Sequence, residues 1–223
     1  MSLARFSVLT KLSAFACLMG IAPSVIAADQ EVDNLLAKIR NAYSVVKSAK
    51  YSTVVYFRKP PLHCTNYFLA PDKFRVDFPA DGSGGTTSLI TDGKTTYYVP
   101  AGQETQQEPY DFENFFKLSP GHIETFSYFE WKKLLVVNRG MGLDGSSLKV
   151  LPDQEWNGRK WTVLEETKTS EKQVYHYYVD PKTYLIWRTT SLPFGATAYR
   201  VDTQLTKLEL GISVPASMFR VTG

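Results

Sequence analysis

The period of the apolar positions changes at Lys50. Before it, Val32, Leu35, Leu36, Ile39, Tyr43 and Val46 recur every three or four residues, which lines them along one face of an α-helix. Asp29 and Glu31 stand at the start of that pattern and Lys47 and Lys50 at its end, charges that complement a helix dipole. After Lys50 apolar and polar residues alternate. The spacing predicts strands over 51–58, 62–69 and 74–78, joined by Lys59-Pro60-Pro61 and by Ala70-Pro71-Asp72-Lys73. A glycine-rich loop over 81–85 leads to strands over 88–91 and 95–99. Asp92-Gly93 between them is the two-residue turn of a β-hairpin.

The middle of the chain returns to helical spacing. Phe112, Phe115 and Phe116 fall at i, i+3 and i+4, and Ile123, Phe126, Phe129 and Leu134 continue beyond Ser119-Pro120-Gly121, so 111–137 reads as two short helices split at Pro120. A loop over 140–145 precedes strands over 147–151, 161–166, 173–179, 184–192 and 196–205, with a short one near Phe219. Asn157-Gly158, Asp180-Pro181 and Pro193-Phe194-Gly195 punctuate them. Successive strands with short turns pair antiparallel. The predicted class is therefore α+β: one strongly curved antiparallel sheet of about 10–11 strands, an N-terminal helix, and inserted helices packed against it.

The first 28 residues have a different grammar. Arg5 and Lys11 give a basic start, 12–26 is an apolar run broken by Pro23, and Val25-Ile26-Ala27-Ala28 ends it on small residues. This is the pattern of a secretory signal peptide over 1–28, cleaved near Ala27 or Ala28, with a single domain over 29–223. The apolar run is about fifteen residues, short of the roughly 20 that cross a bilayer as a helix. Cys17 lies inside it, but Ala14-Phe15-Ala16 lacks the aliphatic residue of a lipidation signal, and half of the apolar run follows the cysteine. The expected product is soluble and periplasmic.

Processing changes the charge and the cysteine count. The formal charge of +3 loses Arg5 and Lys11, and the remaining lysines are scattered, so a nucleic-acid partner is excluded. Cys64 becomes the sole cysteine, read as a buried thiol on a strand.

Fragments that resemble catalytic motifs fail on geometry. Gly93-Lys94-Thr95 ends like a phosphate-binding loop, yet Ser88 stands where its first glycine belongs and the segment is a hairpin. His63 and Cys64 are neighbours on a strand and point to opposite faces. Glu165 and Glu166 diverge for the same reason and read as a solvated carboxylate beside a turn neighbour. His63, His122 and His176 share no metal-ligand spacing, and no Cys-x-x-Cys, His-Glu-x-x-His or Gly-x-Ser-x-Gly occurs. The expectation is a protein that is not an enzyme and holds no metal or cofactor.

Apolar strand faces are what the chain offers instead. Tyr51, Thr53, Val55 and Phe57 alternate onto one face, as do Phe74, Val76 and Phe78, then Trp161 and Val163, then Tyr175 and Tyr177; Leu89 and Tyr97 belong to the hairpin strands. A curved sheet capped by helices keeps a gap between its layers, and these residues are the candidate lining of an apolar ligand cavity.

With those segments in place, the chain resembles the periplasmic outer-membrane lipoprotein carriers, the lipoprotein-sorting or LolA-like family. The resemblance rests on the opening helix, on Tyr67-Phe68-Leu69-Ala70-Pro71-Asp72-Lys73-Phe74-Arg75, and above all on Leu89-Ile90-Thr91-Asp92-Gly93-Lys94-Thr95-Thr96-Tyr97-Tyr98. It extends to Val179-Asp180-Pro181-Lys182-Thr183-Tyr184-Leu185-Ile186 and to Val214-Pro215-Ala216-Ser217-Met218-Phe219. It implies an unclosed β-barrel with an apolar cavity for acyl chains, and a lid that includes Phe112, Phe115, Phe116, Phe126 and Phe129.

The function so implied is non-enzymatic: a monomeric carrier of a lipid or lipoprotein acyl chain from an inner-membrane donor to an outer-membrane acceptor. The alternative on the same scaffold is a lipid-binding sensor or regulatory domain acting through a protein partner. The chain departs from the lipoprotein carriers at Ala70, where they have an arginine before the proline; Arg58 and Arg75 are the nearest substitutes.

Overall fold

The computed structural model describes residues 22–57, 59–80, 84–111, 115, 146–169, 172–193 and 201–221. Helix α1, Ala22–Ser44, buries Val32, Leu35, Ile39 and Tyr43, and Val46 follows as its chain turns toward the sheet, as the spacing predicts. Its start differs from the expected one. The described helix runs back to Ala22, where the described residues begin, so no acidic residue lies in its first described turn and no basic one in its last. Asp29 and Glu31 stand inside it, Lys47 lies past its end, and Lys50 is in the first strand. The physical reason is the alanine-rich stretch before Asp29, which carries the helix back to a proline that the first turn tolerates. No described helix is long and apolar enough to cross a membrane.

Eleven strands follow. They are β1 (Ser48–Tyr56), β2 (Leu62–Leu69), β3 (Lys73–Pro79), β4 (Thr86–Thr91), β5 (Thr95–Val99), β6 (Gln106–Pro109), β7 (Ser146–Trp156), β8 (Arg159–Lys168), β9 (Gln173–Val179), β10 (Ile186–Pro193) and β11 (Val201–Leu210). All form one antiparallel sheet in the order β6-β5-β4-β3-β2-β1-β11-β10-β9-β8-β7. Two meanders thus run outward from a central β1–β11 pair, and the edge strands β6 and β7 do not pair with each other. The architecture is an unclosed β-barrel of the α+β class.

Turn chemistry sets the registers. Asn157 and Gly158 both take positive φ, 50° and 68°, as a two-residue turn between right-twisted strands requires. At Gly93, φ is 91° and a Cβ would stand 3.2 Å from that of Asp72, while Asp92 Oδ1 accepts the amides of Lys94 and Thr95 at 2.8 and 2.9 Å.

Three elements differ from expectation. β6 reads Gln-Gln-Glu-Pro, has no apolar alternation to betray it, and exists because β5 pairs with it. β11 runs five residues past its predicted end at Leu205, while 196–200 of the predicted span lie outside the described residues. The segment near Phe219 is a 3-10 helix, Ala216–Phe219, following Pro215.

Residues paired across an antiparallel ladder share a face, so the registers divide the side chains of the sheet. One row runs Leu62, Val55, Thr203, Thr189, Tyr177, Leu164 and Val150 from β2 to β7. A second runs Tyr51, Asn66, Val76, Leu89 and Tyr98 from β1 to β5. Both rows face α1, and their apolar members pack with Leu35, Ile39 and Tyr43 in one core cluster. Two smaller clusters lie on the opposite, outer face: Ile90, Val214 and Phe219, and Trp161, Val163 and Tyr178.

Candidate functional site

The structure brings nine of the candidate residues to the inner face. Tyr51, Thr53, Val55, Phe74, Val76, Leu89, Tyr175 and Tyr177 are buried there, and Phe78 is half-buried at its margin. Burial also adds Leu62, Cys64 and Phe68 of β2 and Leu164 of β8, which carry the same two-residue period as the strands singled out from sequence. Phe68 and Phe74 pack at 5.0 Å between ring centroids, and Tyr175 stacks on Tyr177 at 6.2 Å.

Three candidates lie elsewhere. Tyr97 pairs with Ile90 and joins the outer cluster around Phe219. Trp161 and Val163 are buried, but outward, where Trp161 packs on Trp156 at 5.2 Å and Arg159 lies over its ring at 4.8 Å. Period two tells which residues share a face of one strand and leaves open which face of the sheet that is; these three were assigned without that second piece of information. Phe57 follows the end of β1 and is 42 % exposed, because the sheet no longer holds it at that point.

Of the five expected lid residues, Phe112, Phe116, Phe126 and Phe129 lie outside the described residues. Phe115 is fully buried against the inner face, 6.2 Å from Phe74 and 5.9 Å from Tyr110.

Polar groups are set into this apolar surface. Glu165 and Glu166 diverge as expected, but Glu166 is buried, correcting its assignment to solvent. The Tyr177 hydroxyl donates to Glu166 Oε2 at 2.8 Å, whereas Glu165 faces outward to His176 Nε2 at 2.9 Å. Asn66 is fully buried; its Nδ2 donates to the Tyr51 carbonyl and to Thr53 Oγ1, and its Oδ1 has no partner among the described residues. The Tyr43 hydroxyl accepts the Ile186 amide at 2.9 Å, and burial pushes the phenol's pKa far up. Cys64 is buried on β2, while His63 beside it is exposed.

Arg75 does not fill the role of an arginine before Pro71. It lies on the outer face, where Nε binds the Asp77 carboxylate at 2.8 Å and Nη1 donates to the Met218 carbonyl at 3.2 Å. Among the described residues no group of three or more His, Cys, Asp or Glu side chains converges to hold a metal.

A groove of about 450 Å³ opens at the margin of the inner face. α1 forms one wall, Val150 and Thr162 of β7 and β8 the other, and Pro181 and Tyr184 of the β9–β10 turn close its end. That turn is held firmly: Asp180 Oδ1 accepts the Lys182 amide and Oδ2 the Arg159 guanidinium, both at 2.8 Å. Burial opposes ionisation of Asp180, yet these bonds together hold its pKa below the usual carboxylate value.

The chain matches no protein-family model and no curated protein sequence. It does match solved structures. An uncharacterized conserved protein from Thermus thermophilus aligns over 87 % of this chain and 95 % of its own at TM-score 0.59 and 10 % identity. MucB aligns over 86 % of this chain at TM-score 0.56 and 14 % identity, and in the Pseudomonas aeruginosa MucA/MucB complex at 0.52 and 12 %. The match spans 63 % of the MucB chain, under two thirds of its length. A LolA superfamily protein from Nitrosomonas europaea is more distant, at TM-score 0.44 and 9 % identity over 85 % of this chain and 97 % of its own. At TM-scores of 0.59 and 0.56 and identities of 10 and 14 %, the Thermus thermophilus protein and MucB share this chain's fold, an open antiparallel sheet with a helix across it.

Proposed function

We propose that this chain is a non-enzymatic, exported binding protein that holds a lipid or a lipoprotein acyl chain on its inner sheet face and carries it between the inner and outer membranes. The carrying observation is that face: a largely apolar surface under α1, from Leu89 across Val76, Tyr51 and Val55 to Tyr177, with Asn66, Thr203 and Thr189 set into it, on a sheet whose edges stay open. An open margin lets a chain slide in from the side, which a closed barrel does not. Burying sixteen methylenes contributes about 13 kcal/mol at roughly 0.8 each, against a cost of association of about 4–15 kcal/mol. The difference is at most about 9 kcal/mol, a submicromolar and therefore reversible affinity at its upper end.

The mature protein, cleaved near Ala27 or Ala28, is placed in the periplasm by residues 1–28; sequencing its N-terminus tests this part. Displacement of an apolar fluorescent probe by a fatty acid tests the site. Phe78→Glu, at the margin of the inner face, is expected to weaken binding at least tenfold, and Tyr97→Glu, equally half-buried but on the outer face, to leave it unchanged. Equal loss in both variants, with both folded, rejects the inner face as the site.

A second reading has one observation behind it. The similar fold of MucB is seen in complex with MucA, which favours a lipid-binding regulatory domain acting through a protein partner. Transfer of lipid from donor to acceptor vesicles by the purified protein distinguishes a carrier from a sensor, which binds without transferring.

A further inference from the structure

We propose that the groove between α1 and the β7–β8 margin receives an anionic head group, a carboxylate or a phosphate, of the amphiphile whose chain lies on the inner face; this rests on the apolar-chain reading above. Its volume of about 450 Å³ falls within the roughly 300–1,000 Å³ of ligand pockets. The floor is continuous with the inner face, because Leu35 and Val150 line the groove and also pack in the main core cluster. A chain lying on that cluster therefore brings its polar end into the groove.

The charge there is unbalanced at one place. Lys38 lines the groove and holds its Nζ 5.1 Å from the centroid of the Tyr184 ring, and it forms no ion pair among the described residues. An ammonium carries three donors, and one facing a ring leaves others for an anion. Tyr184 is fixed in that position by a backbone φ of 56° and by its amide's bond to the Asp180 carbonyl at 2.8 Å. Asn34 lies one turn back along the same helix and adds an amide donor. The acidic residue of the groove, Glu31, is two turns from Lys38, about 10 Å along the axis, and so stands at the far end. The Thr162 hydroxyl is turned to Asp153 at 3.4 Å.

Calorimetric titration of the mature protein with dodecanoate, dodecyl phosphate and dodecanol, equal chains with different heads, tests the assignment. Both anions are expected to bind roughly five- to tenfold tighter than the alcohol at low salt, in keeping with a charge-assisted bond at a partly exposed lysine. Lys38→Ala should erase that preference, Lys38→Arg should keep it, and Glu31→Gln should not reduce it. Wild-type protein that binds all three equally overturns the head-group site and leaves the apolar face standing, as does a Lys38→Ala variant that retains the preference. Binding of none of the three overturns both readings.

Discussion

The contact between Phe74 and Phe115 is the described link between the inner face and the segment that joins β6 to β7, and its strength is measurable. Phe74 is 2 % exposed and packs between Phe68 and Phe115, whose rings lie 5.0 and 6.2 Å away; Phe115 is fully buried. Alanine at both positions would cost about 3–5 kcal/mol each, comparable to the whole stability of about 5–15 kcal/mol. Leucine keeps most of the volume and limits each loss to about 1.5 kcal/mol. An aromatic pair contributes about 0.5–1.5 kcal/mol beyond its area, so the double variant Phe74→Leu, Phe115→Leu should lose less than the sum of the single losses by that amount. Urea unfolding followed by tryptophan fluorescence reads each stability, and thermal midpoints should move about 2–4 °C per kcal/mol in a chain of this size. Losses that add within about 0.3 kcal/mol would refute the packing of Phe115 on the inner face through these rings.

Two further outcomes follow from the polar groups. Tyr43→Phe removes the acceptor of the buried Ile186 amide and should cost about 1–3 kcal/mol in the same urea assay. Asp180 has a folded pKa below its reference of 3.8, so the stability it adds is present above that reference and is lost as pH falls through the lower, folded value. Asp180→Asn should therefore be less stable than wild type at neutral pH, and the gap in urea midpoints should narrow as pH falls toward 2.

Strands rich in β-branched and aromatic residues between clear turns were legible: the predicted bounds of β2, β5 and β9 coincide with the structure. β6 was hidden, since Gln106 to Pro109 has nothing apolar and forms only by pairing with β5. The extension of β11 past Leu205 was hidden for a similar reason: Lys207 and Glu209 pair with each other at 2.7 Å on a strand whose polar end resembles a loop. The inner face was readable strand by strand, and Tyr97, Trp161 and Val163 show where that ends. Which face is inward depends on register across strands, and the outer face carries its own aromatic clusters. The Lys38 groove left no signal in the sequence, because it is assembled from α1, β7, β8 and the β9–β10 turn.

Mass spectrometry of lipid extracted from gently purified mature protein tests the inner face most directly. The account predicts stoichiometric lipid on the wild-type protein and its loss from Phe78→Glu, with Tyr97→Glu loaded like wild type. A folded wild-type protein that emerges empty and also refuses apolar fluorescent probes would contradict it.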